Sequence, residues 1–159
     1  MTEKEKASSI LQKYPYTRSY WIYELLDRFN IYYFIEDLDS VDALMVRFDD
    51  KEAIIIAKDI SPTKRRELIA HELGHFLFHT GNGILYKKKN PLWVSQDEVR
   101  AQRFALYLLI PDERLTRLIN VIDPPSIEDL AEEFGVTVEF MKERLELFER
   151  DSQNTCTLT

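Results

Sequence analysis

The chain has 159 residues, 45% hydrophobic and 12% aromatic, with a net charge of −7 and a pI of about 5.1. That is enough apolar material for one domain with a proper core, and it excludes general disorder. The acidic balance argues against a direct nucleic-acid binder, no apolar run approaches the ~20 residues of a membrane span, and the lone Cys156 excludes an internal disulfide or a Cys-based zinc site.

The start, Met1-Thr2-Glu3-Lys4-Glu5-Lys6, is polar with no apolar stretch behind it, so no leader is read there and a cytoplasmic protein is expected. Residues 3–13 predict a short polar helix, interrupted at Pro15. Thr17 can cap a second helix running to about Phe29, with Trp21, Leu25 and Phe29 on one stripe. Three short strands follow. Ile31–Ile35 is rich in β-formers, and Ala43–Phe48 leads through Asp49-Asp50 to Glu52–Ala57. The last run is continuously apolar. It is either covered on both faces or an edge strand along a cleft, able to pair with an extended peptide.

Ser61-Pro62 starts the next helix, with Ser61 as N-cap and Pro62 in the first turn. Lys64-Arg65-Arg66 reads as a solvated basic face, with substrate contact as the alternative. Gly81-Asn82-Gly83 ends the helix, and residues 82–94 read as a loop. A helix over 96–110 is capped by Ser95 and stopped before Pro111, and its two alanines, Ala101 and Ala105, invite a close helix neighbour. A short helix over 112–120 and two more between Ser126 and Arg150, broken near Gly135-Val136, complete the pattern. These elements predict an α+β domain, mostly helical, with a small three-stranded antiparallel sheet. Its parts are an N-terminal extension (1–16), a core (17–125), an acidic C-terminal helix pair (126–150) and a frayed tail (151–159). The pair resembles half of a helix-turn-helix. However, residues 126–151 carry nine acids against three basic residues, a net of −6, which phosphate backbones would repel. It reads as a packing or partner-docking element.

The chemistry is concentrated in Leu68–His79. Its polar residues are His71, Glu72, His75 and His79, and the chain has no other histidine. The first three form His-Glu-x-x-His. Positions four apart share a helix face about 6 Å apart along the axis, so two imidazoles can converge on one Zn²⁺. Glu72 borders that face, where a general base for the attacking water belongs. A chance match is the bland alternative. It fits poorly with three ionisable groups on a helix that is otherwise apolar almost all round, because buried charges need a compensating centre.

A catalytic zinc takes three protein ligands and keeps an open position. His79 continues the i+4 series but lies about 12 Å along the axis from His71, too far to share one ion on an unbroken helix. Glu98 is the better candidate. Local sequence leaves it open, since Ser95-Gln96-Asp97-Glu98 is also a capping box and Asp97 competes.

Taken together, His71-Glu72-Leu73-Gly74-His75, then Glu98-x-x-Ala101-Gln102-x-Phe104-Ala105, then Leu108-Leu109-Ile110-Pro111 resemble the ImmA/IrrE family of zinc metallopeptidases. The likeness covers roughly residues 17–148. It implies a zincin-like, gluzincin-type fold, one zinc ion held by His71, His75 and Glu98, and Glu72 as the base. Gln102 stands where the family typically has Asn, one turn after Glu98, and is suited to a hydrogen bond to a ligand histidine. His79, Tyr86 and Tyr107 are candidates for substrate contact or oxyanion stabilisation. The implied activity is site-specific cleavage of a helix-turn-helix transcriptional repressor, derepressing phage, mobile-element or stress-response genes. Two alternatives stand beside it: a peptidase of other specificity, and a zinc-containing module that binds a regulator without cutting it. The implied partner is a protein, with no direct nucleic-acid contact and no membrane.

Overall fold

The computed structural model describes residues 1–17, 20–78, 91–121 and 123–156, of which 91–95 and 155–156 are described by their backbone alone. The described elements are α1 (Glu3–Lys13), α2 (Trp21–Arg28), β1 (Ile31–Glu36), β2 (Ala43–Phe48), β3 (Lys51–Ala57), α3 (Pro62–Phe78), α4 (Pro91–Leu109), α5 (Asp112–Ile119), α6 (Ile127–Phe134) and α7 (Val138–Cys156). The α+β architecture is mostly helical, as expected.

The sheet is mixed rather than antiparallel. Its order is β1-β3-β2, with β3 antiparallel to β2 and parallel to β1. Consecutive strands usually pair, which is what the sequence suggests. Here residues 37–42 instead carry the chain past the end of β3 to its far side. The Ala57 amide donates to Asp42 O (2.8 Å) and the Lys58 amide to Glu36 O (3.1 Å), tying both flanks to that end. Strand β3 is therefore central. Ile54 and Ile56 are fully buried on one face while Ala53, Ile55 and Ala57 on the other are only partly buried, so it is neither enclosed on both faces nor an edge along a cleft. The β2–β3 turn is at Asp49-Asp50, with Asp49 in the left-handed region (φ 46) that Asp tolerates.

Helix α1 is part of the packed body. A capping box closes its start, with the Glu5 amide donating to Thr2 Oγ1 (3.2 Å) and the Thr2 amide to Glu5 Oε2 (2.8 Å). Ala7 and Ile10 are buried, and Arg100 Nε donates to Glu3 Oε1 (2.7 Å), fastening α1 along α4. Helix α2 begins at Trp21, later than a Thr17 cap would place it, and buries Trp21, Ile22, Leu25 and Leu26. Helix α3 starts as read: the Lys64 amide donates to Ser61 Oγ (3.2 Å). Helix α4 starts earlier than read, at Pro91, so 91–94 are helical and Ser95 is an interior residue. Helix α7 runs to Cys156, through most of the segment expected to fray.

The contact that positions the site is the crossing of α3 and α4. A Cβ added at Gly74 would stand 2.8 Å from Ala101 Cα and 2.9 Å from its carbonyl oxygen. The small residues let the two backbones touch. That contact brings position 98, one turn before Ala101, over positions 71 and 75, which flank Gly74.

The C-terminal pair is fastened to the other half of α3. Ser126 and Asp129 form a capping box at the start of α6, and Gly135 (φ 61) ends that helix in the left-handed region. Arg66, only 9% exposed, donates through Nη1 to Gly135 O (2.6 Å) and Phe134 O (3.3 Å). Glu67, 2% exposed, accepts from the Thr137 amide (2.6 Å) and from Lys64 Nζ (3.0 Å). The basic cluster of α3 is therefore not simply a solvated face, because Arg66 satisfies the carbonyls that α6 leaves open.

Candidate metal centre

The α3 face carrying His71 and His75 is where the helix meets α4. Their ring centroids are 4.8 Å apart and their Nε2 atoms 3.1 Å apart. Glu98 reaches across from α4 to both: Oε2 is 3.1 Å from His71 Nε2 and Oε1 is 3.3 Å from His75 Nε2. Donors 2.0–2.1 Å from a tetrahedral ion stand about 3.3 Å apart, so these separations match the edges of a zinc coordination shell. The donor set, two imidazoles and one carboxylate, is that of a catalytic zinc with a position left over.

Facing ring nitrogens need something between them. Two Nε2 atoms cannot both donate to each other, and two lone pairs repel, so a proton or a cation must lie between them. Without an ion, protons serve. Burial opposes a charge on His71, but hydrogen bonds to Glu98 and Gln102 and the nearby carboxylates of Glu72 and Glu98 raise its pKa above the ordinary value. Hydrogen bonds from His71 and His75 hold the Glu98 carboxyl well below the usual carboxylate range, against the opposing effect of burial. The two imidazoles and the carboxylate thus hold one another in a single hydrogen-bonded cluster.

The orientation of His71 is set from behind. Its Nδ1 is 2.9 Å from Gln102 Oε1, while Gln102 Nε2 donates to Glu143 Oε2 (2.7 Å). The carboxylate can only accept, so the Gln102 amide must turn its NH₂ to Glu143 and its oxygen to His71. His71 then donates through Nδ1–H, so that when an ion replaces the proton shared with Glu98, Nε2 is the atom left to ligate it. The extra methylene of Gln, relative to Asn, spans this distance between two partners.

Glu72 is buried (8% exposed), and a carboxylate oxygen lies within 4.8 Å of donor nitrogens of both histidines. Its carboxylate thus borders the cluster. With Ser95 four residues inside α4, Glu98 is not a capping-box residue. Tyr107 is not brought to the cluster. It lies nine residues after Glu98, about half a turn round the helix, and its hydroxyl donates to Asp151 (2.8 Å) beneath the Arg144 guanidinium. His79 and Tyr86 lie outside the described residues. Sequence reasoning missed Glu143. Nothing local distinguishes it from the other acids of α7, and only the packing of α7 across α4 singles it out.

A cleft of about 570 Å³ opens beside His71 and Glu98, walled on its far side by Glu143, Leu147 and Arg150 of α7. Arg103 and Lys64 add positive charge to its rim.

Comparison with known proteins places the chain in a family. The chain is 30% identical over 122 residues to the phage-like element PBSX protein XkdA of Bacillus subtilis, covering 76% of this chain and 59% of that protein. It is 27% identical to metallopeptidase ImmA of the same organism, covering 84% of this chain and 78% of ImmA. It is 27% identical to an immunity region protein 2 of Bacillus phage phi105, covering 86% of this chain and 84% of that protein. A Mycobacterium tuberculosis transcriptional regulator has the same fold at a TM-score of 0.70 and 20% identity, over 90% of this chain and 46% of the regulator. The chain thus spans little more than half of XkdA and under half of that regulator. The profile of the IrrE N-terminal-like domain, a peptidase family, matches residues 26–146, a stretch that contains every donor of the cluster, and the chain belongs to that family.

Proposed function

We propose that the chain is a zinc-dependent endopeptidase that cleaves a helix-turn-helix transcriptional repressor. The observation that carries this reading is the convergence of His71, His75 and Glu98 at 3.1–3.3 Å beside the buried carboxylate of Glu72. Family membership supports peptide hydrolysis. The names of two relatives, a metallopeptidase and a phage immunity region protein, support a regulatory protein as substrate.

In this reading His71, His75 and Glu98 hold the ion. When bound, zinc supplies Lewis acidity where the scissile carbonyl docks. Glu72 accepts the proton of the attacking water on its carboxylate and hands it to the leaving amine. Gln102 keeps the His71 ring in its ligating tautomer. The cleft beside the cluster receives the substrate segment, and its wall on α7 gives the C-terminal helix a part in choosing it. Residues 126–151 serve as a docking element rather than a DNA reader.

A second reading has an observation of its own. The same fold fills less than half of a longer transcriptional regulator, so it also occurs as one module of a larger protein. A zinc-containing module that binds a regulator without cutting it would fit that setting. One experiment separates the two. Purified chain is incubated with candidate helix-turn-helix repressors, with and without a chelator, beside Glu72→Gln. The endopeptidase reading expects chelator-sensitive cleavage that falls at least a hundredfold in Glu72→Gln, the lower bound for losing general-base assistance. Cleavage unchanged in Glu72→Gln would contradict it. Chelator-sensitive binding with every repressor left intact would favour the module.

A further inference from the structure

Residue 143 lies far outside the His-Glu-x-x-His segment, on a helix that carries none of the donors of the cluster. Its carboxylate nevertheless ends a continuous chain of side chains from α7 through α4 to α3. Glu143 Oε2 accepts from Gln102 Nε2 at 2.7 Å, and Gln102 Oε1 is 2.9 Å from His71 Nδ1. A primary amide can rotate by half a turn and exchange its oxygen for its nitrogen. Facing His71 alone, Gln102 could present either end, and the NH₂ end would demand that Nδ1 be the acceptor. That would put the ring proton on Nε2, where the ion must bind. Glu143 removes the choice, because an ionised carboxylate accepts and cannot donate.

We infer that Glu143 is a positioning residue of the metal centre: it fixes the orientation of the Gln102 amide and, through it, the Nδ1–H tautomer that lets His71 ligate. The inference rests on His71 being a metal ligand. It adds a function for the acidic C-terminal helix, which supplies the outermost link of the site as well as a wall of the cleft. Arg66 and Glu67 support this arrangement, because they pin the start of α7 to α3 one turn before His71. The donor and the residue that orients it are thereby anchored to the same helix.

The test uses zinc itself, with affinity measured by competition against a chromophoric chelator. Partners that orient metal ligands are worth roughly 10–100-fold in affinity, and Glu143 acts through one intermediary, so Glu143→Ala is expected to weaken zinc binding about tenfold. Glu143→Gln, which can still accept through its amide oxygen, should recover most of that loss. Glu149→Ala removes the same charge from an exposed position of α7 and should change little. A second readout does not depend on affinity. In the zinc-loaded protein the His71 Nδ1–H proton should give a hydrogen-bonded resonance protected from solvent, and Glu143→Ala should lose that protection while the far-ultraviolet circular dichroism spectrum is kept. His71→Ala tells the two levels of failure apart. If it abolishes zinc binding while Glu143→Ala alters neither affinity nor the protected proton, the positioning role is wrong and the metal site stands. If His71→Ala leaves zinc bound, the site reading itself fails.

Discussion

The two halves of α3 bury polar groups in opposite ways. In the first half, Arg66 and Glu67 find complementary partners in the α6–α7 turn: Arg66 gives protons to the carbonyls of residues 134 and 135, and Glu67 takes one from the amide of residue 137. Guanidinium meets carbonyl and carboxylate meets N–H, so donor faces acceptor in each pairing, although Arg66 Nε has no partner among the described residues. In the second half, His71 and His75 turn their Nε2 atoms, and Glu98 its carboxylate, toward one point, where a proton or a cation must stand between them. Buried polarity of the first kind holds a fold together, and polarity of the second kind marks a site. The difference lies in whether the groups complement one another: Arg66 and Glu67 are buried and the two histidines mostly so, whereas Glu98 keeps part of its side chain exposed.

Disturbing the crossing should have the largest effect on this contrast. Gly74→Ala forces a methyl group into the Ala101 backbone, which has no flexible end to yield. Helices α3 and α4 must separate. The expected result is a loss of about 1–3 kcal/mol in denaturant unfolding, the usual range for overpacking, together with weakened zinc binding in whatever folds. Normal zinc affinity in a destabilised Gly74→Ala protein would mean that Glu98 does not depend on the crossing.

Arg66→Met separates the structural half from the site half. It leaves the carbonyls of residues 134 and 135 without their donor, and unfolding should become easier by about 1–3 kcal/mol. Zinc affinity should move far less than in Gly74→Ala, because the donors themselves are untouched. A variant that loses zinc as severely as stability would show that the two halves of α3 are not separable.

Much of this was legible in the sequence. Helix α3 announces itself by Ser61-Pro62 and by the spacing of His71 and His75, and the alanine pair of α4 correctly signals a close neighbour. Gly74, inside the motif, proved to be the other side of that contact. The misreadings have physical causes. Ser95 with Glu98 satisfies the capping pattern whether or not the helix begins there, and Pro91, which does begin it, is equally at home in a loop. The strand sequence predicts an antiparallel sheet because neighbours in sequence usually pair, and nothing in residues 37–42 states that they cross the end of β3. Glu143 is one of many acids on α7. Its role comes from tertiary packing, which a single sequence does not encode locally.

Gln102→Asn sharpens the site half by shortening the link without removing the amide. One methylene less cannot span both His71 and Glu143, so zinc affinity should fall by about tenfold or less, toward the low end for such partners. Unchanged affinity would mean that the reach of Gln is irrelevant.

The smallest expected effect lies farthest from the site. Burial opposes ionisation of Asp112, but the hydrogen bond from Lys4 (2.5 Å) and the contact with the buried Arg144 outweigh it and hold its pKa below the ordinary 3.8. A carboxylate with a depressed folded-state pKa contributes stability above its unfolded value and loses it as pH falls through the folded one. Asp112→Asn should therefore cost about 1 kcal/mol at neutral pH, and the gap to the unsubstituted protein should close below about pH 3.8. A gap that persists into acid would assign the effect to packing.

The central claim is that three side chains from two helices hold one zinc ion while Glu72 acts as the base rather than as a ligand. Zinc stoichiometry of Glu98→Ala beside Glu72→Gln tests it most directly, because both carboxylates lie close to the same pair of imidazoles. Glu72→Gln is expected to retain one ion per chain and Glu98→Ala to lose it. Retention in Glu98→Ala with loss in Glu72→Gln would make Glu72 the third ligand and overturn the assignment of the base.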